Sequence, residues 1–127
     1  MAYDQPIITT LVAPANASLS SAADVFMVQG PPGKRGKVLH VSLVMTTANT
    51  TAAAGLDFGT QADTDAYGTV STAAAHADES AVVATAAQCD AIGDTNNVIP
   101  ADTILLISGD GAGTNGAADI TVVIGWF

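Results

Sequence analysis

Short runs rich in Val, Ile and Thr, punctuated at close intervals by Gly, Pro, Asn and Asp, recur along the whole chain. That rhythm restricts the fold to β-structure, because β-branched residues suit a pleated surface and the punctuating residues suit tight turns. The strand candidates are Ile7–Ala13, Val25–Gln29, Lys37–Thr47, Leu56–Gly59, Tyr67–Thr72, Ala81–Ala87, Thr103–Ser108 and Asp119–Phe127. About eight strands in 127 residues predict one all-β domain spanning residues 1–127, an antiparallel β-sandwich of jelly-roll type. Thr114-Asn-Gly116, within the Gly-rich stretch Gly109–Gly116, reads as the turn of a final hairpin. Ser71–Ile92 is the ambiguous segment, Ala-rich and free of Gly and Pro. Asp78-Glu-Ser80 could open a helix there, whereas Val82, Val83 and Thr85 favour a strand or extended loop, the preferred reading.

The apolar pattern differs between strands. In Lys37–Thr47, alternation places Leu39, Val41, Leu43 and Met45 on one face and His40, Ser42 and Thr46 on the other, as in a half-buried strand. Ile104-Leu-Leu-Ile107 and Ile120–Phe127 are apolar on both faces. In a sandwich one face packs on the opposite sheet, and the second needs a loop or a neighbouring subunit. Charged residues make up only 12% of the chain, about half the usual share, which suits a surface partly covered by neighbours. Leu105, Ile107, Val123, Trp126 and Phe127 are therefore candidate subunit-contact residues.

Three cations stand against twelve carboxylates, and all three lie together at Lys34, Arg35 and Lys37. The surrounding Gly30-Pro-Pro-Gly-Lys-Arg-Gly-Lys37 is not a nucleotide phosphate loop. Arg35 occupies the position of the second glycine, two prolines remove amides, and Val38 follows Lys37 where Ser or Thr would hold magnesium. The segment is either a solvated tight turn or a contact for a carboxylate-rich partner surface. Exposed ion pairs contribute roughly 0–1 kcal/mol each, so such a cluster orients docking more than it drives it.

Other chemistries find little support. A net charge of -9 disfavours nucleic acid, whose binding depends on many Lys and Arg contacts to phosphates. Asp63-Thr-Asp65-Ala-Tyr-Gly68 starts like a calcium loop, but Tyr67 and Ala74 fall at later ligand positions. Asp110, Asn115 and Asp119 around a Gly-rich turn are equally ordinary turn formers. His40 and His76 lack a clustered third ligand, and Cys89 has no basic neighbour to activate it. No Gly-x-Ser-x-Gly elbow occurs, so the expectation is a non-enzyme without cofactor or metal. No run of about 18 apolar residues is present, and no signal-type N-terminal stretch.

Val98-Ile-Pro-Ala-Asp-Thr-Ile-Leu-Leu-Ile-Ser-Gly109 and Ala118-Asp-Ile-Thr-Val-Val-Ile-Gly-Trp-Phe127 together resemble the closing hairpin of small jelly-roll virion proteins of tailed bacteriophages. Gly36-Lys-Val-Leu-His-Val-Ser-Leu-Val-Met45 is similar to a leading strand of that fold. The resemblance implies a capsid decoration (cement) protein, assembled in the host cytoplasm and placed on the virion exterior. Its implied partners are the major capsid protein lattice and further copies of itself, in such proteins commonly as a homotrimer, with neither nucleic acid nor membrane involved. The alternative is a head-associated or tail-tip jelly-roll module that recognises a carbohydrate or receptor, which would need exposed aromatics around a groove.

Overall fold

The computed structural model of the chain describes residues 7–19, 21–48, 55–71, 81–83, 97–111 and 116–127. These form eight strands: β1 (Ile7–Ser18), β2 (Asp24–Gln29), β3 (Gly36–Thr47), β4 (Gly55–Gly59), β5 (Gly68–Ser71), β6 (Ala81–Val83), β7 (Ile104–Gly109) and β8 (Ala117–Trp126). They pair in two antiparallel four-stranded sheets, ordered β1-β8-β3-β6 and β2-β7-β4-β5. Among the described strands, only β4 and β5 are joined as a hairpin. Every other successive pair crosses from one sheet to the other, which is the jelly-roll arrangement. Of the ambiguous Ser71–Ile92 segment, Ser71 ends β5 and Ala81–Val83 forms the edge strand β6, while 72–80 and 84–92 lie outside the described residues.

Period-two alternation builds the core between the sheets. From the first sheet, β8 turns Ala118, Ile120, Val122, Ile124 and Trp126 inward, and β3 turns Val38, Val41, Leu43 and Met45 inward. From the second come Leu56 and Phe58 of β4, Val70 of β5, and Leu105 and Ile107 of β7. Leu19 and Ile99 close the ends of the same cluster. Two bulky rings, Trp126 and Phe58, sit among aliphatic neighbours, consistent with a thin and tightly packed layer.

Three sequence expectations change. First, β7 and β8 form no hairpin: β7 pairs with β2 and β4, and β8 with β1 and β3, so the two strands lie in different sheets. Turn-forming residue types such as those at Thr114-Asn-Gly116 do not select the strand's partner, and residues 112–115 lie outside the described ones. Second, Leu39 faces outward. The β3–β8 register shifts between Val38 and His40, and this bulge places two residues where one belongs, reversing the parity of the strand. Third, Leu105, Ile107 and Trp126 are fully buried core, and so are not contact residues. The outward side of β7 instead carries exposed Ile104 and half-buried Leu106.

Candidate docking surface

The basic segment folds as the β2–β3 turn at one end of the sandwich. Two prolines limit its freedom, and Gly33 takes a left-handed conformation (φ 74°) that a side chain would strain. The Lys34 amide donates to the Pro31 carbonyl at 3.1 Å, closing the turn. Arg35 and Phe127 exchange both backbone hydrogen bonds at 2.9 Å, and Gly36 and Ile99 exchange theirs at 2.9 and 2.8 Å. The Gly33 amide donates to Asp102 Oδ1 at 3.0 Å, and Gln29 Nε2 to the Asp102 carbonyl at 3.3 Å. Asp102 itself is left-handed (φ 60°), an uncommon state that a short polar side chain tolerates when locally bonded. The amides of residues 33 to 36 are thus all engaged internally, which leaves none of these four to cradle a phosphate.

Beneath the turn lies Trp126. Gly30 and Gly36, at its two ends, press against the indole so closely that a Cβ on either would stand 2.3 Å from Cε3 or 2.5 Å from Cζ3. The indole Nε1 donates to Thr9 Oγ1 at 2.9 Å, tying the ring to β1. Above, the Arg35 guanidinium lies 5.0 Å from the centroid of the Phe127 ring, a cation–π distance. Arg35 is exposed, and Lys34 and Lys37 are half-buried. The geometry therefore presents the cationic cluster on a mount held by β1, β8 and the 99–102 segment.

Among the expected site residues, Lys34, Arg35 and Phe127 come together on this turn. Lys37, the second residue of β3, points outward from the first sheet beside Gly125. Val123 lies half-buried on that same outward face. Sequence reasoning missed Ile8, Val12 and Val44, which are exposed there too. Alternation within Ile7–Ala13 of β1, and within β3 from His40 to Met45 beyond its bulge, carries that signal once the inward parity is known. His40 is half-buried on this face, while His76 and Cys89 fall outside the described residues.

No family model, curated protein or solved structure matches the chain significantly.

Acidic groups gather on the opposite sheet. Asp57 of β4 stands in register with Ser108, whose other strand neighbour is Asp24. Burial pushes the Asp57 carboxyl above its ordinary value, and the charges of Asp110 and Asp65 push it further. A carboxyl that binds its proton more tightly folded than unfolded opposes folding above its raised folded value. That cost fades as pH falls and is gone below the unfolded value of about 3.9. Asp57→Asn is therefore expected to raise the melting temperature at neutral pH, with the gain shrinking on acidification through that window. An equal gain at pH 7 and at pH 3 would show that the carboxylate charge is not the cause. Among the described residues no group of three or more His, Cys, Asp or Glu is placed to hold a metal.

Proposed function

We propose that this chain is a structural virion protein, a capsid decoration protein that docks on the outer surface of the major capsid lattice and stabilises the shell. The observation that carries the reading is the basic turn: Lys34 and Arg35 stand on a stitched turn at one end of the sandwich and Lys37 follows at the start of β3, so the three cations of an acidic chain are gathered at that end. Preorganised charge of this kind steers and orients association with a carboxylate-rich surface, and its fixed backbone spares the ordering cost that a flexible loop would incur. The charge-poor surface suits a component of an assembly, and in this reading the chain performs no catalysis and takes no cofactor.

The carbohydrate-module reading has less to stand on. The open groove of about 570 Å³ over the β2-β7 side includes Met27, Thr60, Gln61, Asp102, Ile104 and Leu106 in its lining, and among the described residues no aromatic ring lines it for a sugar to stack on.

The test is co-sedimentation with shells of the virus that encodes the chain. The combined change Lys34→Glu, Arg35→Glu, Lys37→Glu is expected to lower shell occupancy about tenfold or more at fixed concentration, with the melting temperature nearly unchanged. Rising salt should weaken the unaltered protein in the same direction. Undiminished occupancy of the triple variant would remove the turn from the docking surface. Absence of the chain from purified particles would remove the function.

A further inference from the structure

We propose that the outward face of the β1-β8-β3-β6 sheet pairs with the same face of a second copy of this chain, with the strands of the two copies running antiparallel across a two-fold axis. Ile8 is 54%, Val12 64%, Leu39 49% and Val44 42% exposed on this face. The register sets Ile8, Gly125 and Lys37 in one row, Thr10, Val123 and His40 in the next, and Val12, Thr121 and Ser42 in the third. Gly125 makes the first row continuous. A Cβ there would meet Leu39 Cδ1 at 3.0 Å and Ile8 Cδ1 at 3.7 Å, so these two side chains lean over the glycine from either side. The outward bulge at Leu39 thus adds a large aliphatic group to solvent, which disfavours a solitary monomer.

Charge selects the occupant and its orientation. Among the described residues of β1, β3 and β8, the outward charged side chains are Lys37 and Asp119, at opposite ends of the sheet. At ~3.4 Å per residue they lie about 20 Å apart along the strands. A two-fold axis in the plane of the contact and perpendicular to the strands sets Lys37 of each copy near Asp119 of the other. Stacking with parallel strands would set lysine against lysine. The face is therefore complementary to itself in one arrangement, as an isologous contact requires. Three strands about ten residues long at ~4.8 Å spacing, with the three-residue β6 at the edge, give a footprint of roughly 540 Å² per copy, about 1,100 Å² in all, just above the ~1,000 Å² expected of a specific interface. Aligned sheets can stack with aliphatic faces interleaved in this way.

Sedimentation equilibrium on the isolated chain, without shells, tests this independently of capsid docking. The expected species at micromolar concentration has twice the 12.6 kDa mass of the chain. Val12→Lys and Leu39→Lys, both at exposed positions, should each weaken dimerisation about tenfold or more while leaving the far-ultraviolet circular dichroism unchanged. Should either fail to fold, Thr10→Lys reports on the same face from a position already polar. Lys37→Asp and Asp119→Lys should each weaken the dimer, and together restore it. A monomer at every concentration, a closed trimer, or a dimer indifferent to the lysine substitutions overturns the proposal. A double charge exchange weaker than either single one overturns the antiparallel arrangement.

Discussion

Trp126→Ala is expected to destabilise the fold by about 3–5 kcal/mol, the largest loss from any substitution considered. The indole is fully buried at the end of the central strand β8 and fills the space beneath the basic turn. Its removal opens a cavity that the glycines on either side cannot fill, because they have no side chains to collapse into it. It also leaves Thr9 Oγ1 without its donor, a further cost when the site is part-buried. Urea unfolding would measure the loss, which is a large share of the 5–15 kcal/mol typical of a domain. Trp126→Phe should cost less than Trp126→Ala, since it keeps a six-membered ring in the site while forfeiting the hydrogen bond, about 1 kcal/mol, and the packing of the smaller ring. A loss below about 1 kcal/mol for the alanine variant would mean that the turn does not rest on the ring.

Gly36→Ala is expected to cost about 1–3 kcal/mol despite adding a single methyl group. The new Cβ would stand 2.5 Å from Trp126 Cζ3 and 3.2 Å from Ile99 Cδ1, both fully buried and unable to retreat. Gly36 cannot move away either, since both its backbone groups are bonded to Ile99. Gly33→Ala makes the instructive contrast. Nothing lies within 4 Å of its Cβ position, so its cost comes from the left-handed backbone alone, about 1–2 kcal/mol. Relief of the Gly36→Ala defect by Trp126→Phe, in a double-mutant cycle, would identify steric pressure on the indole as the cause. Strict additivity of the two would count against it.

The strands were legible because each buries one face, and the resulting alternation is written locally. The same locality explains what was not legible. Ile104-Leu-Leu-Ile107 is apolar on both sides, so nothing within it says that Leu105 and Ile107 face inward and Ile104 and Leu106 outward. Leu39 follows the alternating pattern of its neighbours, and only the pairing with β8 reveals the extra residue that turns it out. The glycines near residue 114 announce a turn but carry no information on which sheet receives the next strand. The basic turn was legible as a cluster because its charges are adjacent in sequence. Its attachment to Phe127 and Asp102 was not, because those residues come from the far end of the chain and meet it only in space.

The central place of β8 has a consequence for how the molecule is made. Its two neighbours, β1 and β3, touch each other through no ladder of their own, so the first sheet is held together by the last strand in chain order. While synthesis proceeds, β1 waits with a bare edge, and β3 has only the short β6 beside it. Contacts of such wide sequence separation form slowly, because the closure entropy falls due before they are made. A ribosome stalled before β8 would therefore release a chain with open, aliphatic strand edges, the species most prone to aggregate. Insertion of that single strand completes the sheet and, through Trp126, seats the basic turn in the same event.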